Sequence, residues 1–238
     1  MFGFYIDPLY IILVLPAVLF AMWASSKVNS TYQKYSRVQS SRGITAQEAC
    51  QNILNSNGIY DVSVGRIAGN LTDHYDPKNK VIKLSDSVYN NTSVAAIGVA
   101  CHEAGHAIQH ANAYAPLKLR NSIVPITQLT SSLSMPLIIA GLLFSGRGNS
   151  MIWLSYLGLI GFFMAALFQL FTLPTEFDAS KRALLAIENS GYLTEEELYG
   201  SKKVLDAAAL TYVAALAVSI MSLLRMLILV MGRGQRND

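Results

Sequence analysis

The sequence predicts an α-helical integral membrane protein with four transmembrane helices and a small α+β cytoplasmic domain, and three observations lead there. Of 238 residues, 52% are hydrophobic and only 14% charged, too apolar a balance for an ordinary soluble domain. Four segments approach or reach the roughly 20 apolar residues that a bilayer span requires. Lys and Arg gather in two of the polar regions between them, which sets the sidedness.

The first span is PLYIILVLPAVLFAMWA, residues 8–24, lengthened by Tyr5 and Ile6. Asp7 precedes it where a signal peptide would carry basic residues, and Lys27, Lys34, Arg37 and Arg42 follow. Residues 1–24 are therefore an uncleaved anchor with its N-terminus outside.

Residues 25–122 form the larger polar region. After a Ser-rich stretch, Thr45 and Glu48 make a capping box that opens an amphipathic helix ending at Asn57-Gly58. Residues 60–85 predict two short strands, the second VIKLS at 81–85, with Asp76-Pro77 and Asn79 as turn chemistry. The Ala-rich segment 93–112 has the length of a helix, with Ser93 as its cap.

A transmembrane hairpin occupies 123–173, its spans being 123–144 and 151–173. Residues 174–206 are a polar helical insert, in which Pro174 ends the third span and starts a new helix, and Thr194 and Glu197 form a second capping box. The fourth span covers 207–231 and a short tail runs to 238. Residues 25–122 hold ten Lys/Arg and 174–206 hold four, against one in loop 145–150 and two in 232–238. The positive-inside rule puts both larger polar regions in the cytoplasm.

Other classes fall away. With 18 Lys+Arg against 15 Asp+Glu and no basic stripe interleaved with aromatics, no nucleic-acid partner is expected. Cys50 and Cys101 give no disulfide framework and read as small core residues. A transporter is disfavoured because Arg225 is the lone ionisable residue inside a span.

The chemistry is concentrated in CHEAGHAIQH, residues 101–110. On a helix, His102 and His106 lie one above the other and can offer two imidazoles to one metal, with Glu103 beside the open position as general base. Zinc is the ion such H-E-x-x-H helices hold, and with four His in the chain a chance occurrence is expected only roughly 0.002 times. His110, a turn further on, is too distant to join them without an intervening turn, so it reads as surface or supporting. A catalytic site wants a third protein ligand, and no Asp or Glu occurs between Glu103 and Glu176. In LPTEFDASKRAL, residues 173–184, Glu176 and Asp178 are two apart, so only one of them can face the metal, and Ser180 shares the face of Glu176.

The segments GNLTDHYDPKNKVIKLS, SVAAIGVACHEAGHAIQHA, APLKLRN, LPTEFDASKRAL and KKVLDAAALTYVAA together resemble the bacterial membrane-embedded neutral zinc metallopeptidase family over nearly the whole chain. Its wider relatives are gluzincin-type membrane proteases, including the CAAX prenyl endopeptidases. The resemblance implies a multi-pass cell-membrane zinc endopeptidase whose cytoplasmic metalloprotease domain acts on peptides or membrane proteins near the lipid bilayer. It implies zinc held by His102, His106 and a glutamate on a later helix, matched here by Glu176, with Glu103 as base. Such relatives carry an acidic residue four after the ligand glutamate, where this chain has Ser180. The likeness also implies that an edge strand beside the motif helix pairs with substrate, for which VIKLS is the candidate. His74 and Tyr75 read equally as turn or site residues, and Tyr212, Arg182 and His74 are candidates for oxyanion stabilisation. The rival reading is a non-catalytic membrane scaffold or adaptor with a structural zinc, from which an intact Glu103 distinguishes an enzyme.

Overall fold

The computed structural model describes residues 7–144 and 151–234. Loop 145–150, Tyr5 and Ile6 of the anchor and the end of the tail lie outside the described residues. The elements run α1 (Leu15–Tyr35), α2 (Ala46–Ser56), β1 (Ser63–Ile67), β2 (His74–Asp76), β3 (Val81–Ser85), α3 (Val94–Ala111), α4 (Ala115–Phe144), α5 (Trp153–Ser190) and α6 (Glu195–Gly234). A π-helical segment, Tyr10–Val14, leads into α1. Pro16 has no N–H to return to the Ile12 carbonyl, and the helix widens just upstream of it.

Among the described residues, four helices are long and apolar enough to cross a membrane: Tyr10–Tyr35, Ala115–Phe144, Trp153–Ser190 and Glu195–Gly232. Large apolar side chains such as Ile12, Met22, Leu129, Leu143 and Met231 lie exposed on them, as lipid contact requires. The break expected at Pro174 is absent. Pro174 lies inside α5, and the insert's second helix continues into the fourth span as α6. Proline within a membrane helix costs one backbone bond, which neighbouring turns and hydroxyls can re-satisfy, and α4 likewise carries Pro125 and Pro136.

Among the described residues the chain divides into two compact units. One draws on Met1–Trp23, Leu119–Leu173 and Tyr212–Asp238, with a small core of Ile138, Leu159, Met226 and Val230. There α4 and α5 approach closely through small residues: a Cβ on Gly141 would strike Ser155, and one on Gly158 would lie 2.6 Å from the Ser134 carbonyl oxygen. Arg225 pairs with Asp7 at 2.7 Å and lies over the Tyr10 ring, so the ionisable group in the last span has a partner.

The other unit draws on Ala24–Lys118 and Pro174–Thr211. Its core gathers Ile53, Leu54, Ile82, Leu84, Val88, Ile97 and Ile187. The capping boxes form as read: the Thr45 hydroxyl accepts from the Glu48 N–H while Glu48 accepts from the Thr45 N–H, and Thr194 and Glu197 repeat the exchange. Ser93 caps α3 by accepting from the Ala96 N–H.

The sheet differs from expectation. It has three strands in the order β1-β3-β2, with β1 parallel and β2 antiparallel to β3. VIKLS is thus the central strand and not an edge, because its backbone is paired on both sides, with β1 and with β2, while Ile82 and Leu84 on one face are buried in the core. His74 and Tyr75 belong to β2; three residues are too few to show strand periodicity. Beyond the end of β2, the Asp73 carboxylate accepts from the Ser85 N–H at 2.7 Å and closes that side of β3.

Candidate metal centre

α3 carries His102 and His106 one turn apart, their rings edge to face with centroids 4.7 Å apart. Gly105 lies between them. A Cβ there would collide with the Ala179 carbonyl oxygen, so the missing side chain is what lets α3 meet α5 backbone to backbone. That contact brings Glu176, 2% exposed, onto the histidines. Its Oε2 lies 3.2 Å from His102 Nε2 and 3.4 Å from His106 Nε2.

These separations fit a tetrahedral ion, because bonds of about 2.0–2.1 Å put ligand atoms about 3.3 Å apart. The three residues offer one ligand atom each within 4.8 Å of one another. Two nitrogens and one carboxylate oxygen are a donor set that suits zinc and leaves a fourth position open. Glu103 lies outside this set, 8% exposed, on the same turn of α3. Burial alone would lower the pKa of His106, but bonding to Glu176 and the charges of Glu103 and Glu176 outweigh it and raise the value.

The other nitrogens of both rings are also engaged. His102 Nδ1 lies 3.1 Å from Ser180 Oγ, and His106 Nδ1 lies 3.0 Å from Gln109 Oε1. Gln109 Nε2 donates to the Thr175 carbonyl at 2.7 Å and to Asp178 Oδ2 at 2.8 Å. Asp178 in turn accepts from Arg182 Nε at 2.6 Å, and Arg182 lies over the Tyr114 ring.

The structure thus brings His102, His106, Glu176 and Ser180 together, with Asp178 one side chain removed. It leaves His74 exposed on β2, bonded through Nδ1 to the Thr72 carbonyl. His110 pairs with the Tyr75 hydroxyl at 2.8 Å, in keeping with its reading as a surface or supporting group. Tyr212 belongs to the unit of the apolar spans and the cluster to the other unit. Gln109 went unread in the sequence, although a polar side chain three residues after His106 in an Ala-rich helix is a signal for it. Gly105 was legible only as a letter within the motif.

Comparison with known proteins agrees with this chemistry. The model of the family described as "Putative neutral zinc metallopeptidase" matches residues 10–231. The "Putative membrane protease YugP" of Bacillus subtilis (strain 168) is 44% identical over 229 residues, which cover 96% of this chain and 100% of that protein. No solved structure matches. With four apolar spans and a donor set for zinc, the chain belongs to this family of membrane neutral zinc metallopeptidases.

Proposed function

We propose that the protein is a membrane zinc endopeptidase that cleaves peptides or membrane-associated proteins at the cytoplasmic face of a bacterial cell membrane. The observation that carries this reading is the convergence of His102 Nε2, His106 Nε2 and Glu176 Oε2, with Glu103 on the same turn. His102, His106 and Glu176 would hold the ion. Zinc bound there would supply Lewis acidity, lowering the pKa of water to about 7 and polarising a scissile carbonyl. Glu103 accepts the proton of the attacking water and passes it to the leaving amine. Its buried position beside the donor set keeps bulk solvent from competing for that proton. Ser180 and Gln109 hold the two imidazoles by their Nδ1 atoms.

Chain order supports a shared side for the two polar regions. Ala24–Lys118 follows the first span and Pro174–Thr211 follows the third, so two further crossings separate them, and both carry the Lys/Arg excess. Asp7 and Arg225 pair at one end of the first and last spans, as two antiparallel crossings require. The regions 25–122 and 174–206 are the cytoplasmic parts of the enzyme, and 1–24, 123–173 and 207–238 its membrane parts.

Two experiments test the reading. Purified protein should contain one zinc per chain and degrade an unfolded test protein, with activity lost to a chelator and restored by zinc. A metal-free chain that retains full activity would overturn it. For sidedness, a thiol reagent applied from outside should label Gly148→Cys but not Asn57→Cys. Labelling of Asn57→Cys alone, or of both, would reverse or dissolve the orientation.

A further inference from the structure

The two histidines are held in different ways. The Ser180 hydroxyl beside His102 can donate or accept, so it does not dictate which nitrogen of that ring carries the proton. The Gln109 amide leaves no such choice. Its one end faces the Thr175 carbonyl and the Asp178 carboxylate, both acceptors, so that end is the NH2 group. The other end is therefore the carbonyl oxygen, and it faces His106 Nδ1. An acceptor at that position needs an N–H opposite, so Nδ1 carries a proton and, in the neutral ring that binds metal, the lone pair lies on Nε2, the atom turned toward Glu176. With the reverse amide, an oxygen would face the Thr175 carbonyl and the Asp178 carboxylate, and Gln109 is fully buried, so bulk solvent would relieve neither repulsion.

We propose that Gln109 is a positioning residue for the metal centre, holding His106 in the tautomer and ring orientation that present Nε2 to the ion. Gln109 is itself oriented by Thr175 and by Asp178, which Arg182 anchors at its far side. Arg182 reaches the wall of a cavity of about 590 Å³ shared with Asn112, Asn189 and Tyr192, so the outer end of this chain of contacts meets solvent. The inference rests on the reading of His106 as a zinc ligand. It adds that the two ligands differ in what fixes them.

The test uses full-length protein in detergent, stripped of metal and titrated with zinc against a fluorescent chelator. The visible spectrum of the cobalt(II)-loaded protein is recorded alongside. Gln109→Leu, close to isosteric, should weaken zinc about 10–100-fold and alter the cobalt spectrum, with a smaller loss in Ser180→Ala. Arg182→Leu should weaken zinc less than Gln109→Leu, and Arg182→Lys should restore part of that loss. Wild-type zinc affinity with an unchanged cobalt spectrum in Gln109→Leu would overturn the proposal, even with a lowered melting temperature, since Gln109 would then be only a structural residue. Should Gln109→Leu fail to fold, Asp178→Ala and Arg182→Leu decide: weakened zinc in both supports the chain of contacts, and unchanged zinc in both overturns it. Absence of zinc from the wild type would remove the ligand assignment itself and this inference with it.

Discussion

Both compact units let helices approach through glycine, and the two contacts serve different ends. In the unit of the apolar spans, Gly141, Gly158 and Gly161 bring α4 against α5, and the polar groups nearby are Ser134, which bonds its own helix at Thr130, and Ser155, which donates to the Ile138 carbonyl. In the other unit Gly105 brings α3 against α5 at Ala179, and its flanks are His102, His106, Gln109, Glu176 and Ser180. Close backbone approach is thus a packing device that the fold uses twice. The flanks of the second contact carry three groups that converge as a metal donor set, and among the described residues the flanks of the first carry none.

The largest effects should come from the flanks. Glu176→Gln removes one of three donors and should lose zinc and proteolysis together, whereas losing a supporting partner costs about 10–100-fold. Asp178→Asn should be affected less, because the amide oxygen can still accept from Gln109, and Ser180→Ala mildly. Zinc content of the purified variants ranks them. Zinc lost from Asp178→Asn but kept in Glu176→Gln would move the ligand two residues along α5.

Next come the glycines. Gly105→Ala and Gly158→Ala both press a methyl onto facing backbone, and overpacking of this kind costs about 1–3 kcal/mol. Only Gly105→Ala should reduce zinc affinity, since only there does the contact set ligand spacing. Equal zinc loss in both variants would erase the distinction between the contacts.

A smaller effect is a pH dependence of the metal-free chain. The raised pKa of His106 means that its protonated form, paired with Glu176, stabilises the fold. That contribution is fully present below the unfolded imidazole value near 6.5 and is lost as pH rises through the higher folded value. Thermal scans without metal should show stability falling across this window, and saturating zinc should remove the fall. Smallest of all for the metal centre, Asp7→Asn takes away the charge that partners Arg225 but keeps an amide oxygen that can accept from its Nε, and should leave zinc untouched.

The legible features were local ones. Capping boxes, apolar runs and the i, i+4 histidines are patterns within one helix, and each is written in consecutive residues. What escaped depends on two segments at once. The central place of β3 needs β1 to pair across an intervening strand, and the continuity of α5 through Pro174 depends on its surroundings more than on the proline. Gln109 looked like any polar helix residue until Thr175 and Asp178 arrived opposite it. Arg182, a candidate for oxyanion stabilisation, is engaged by Asp178 and Tyr114.

The central claim is that Glu103 performs chemistry at a metal held by its neighbours. Its most direct test is Glu103→Gln beside the wild type, with zinc content and cleavage of one unfolded substrate measured on the same preparations. The account predicts one zinc per chain in both and turnover only in the wild type, since the amide keeps the shape of the side chain but cannot take a proton from water. Cleavage at the wild-type rate by Glu103→Gln would contradict it.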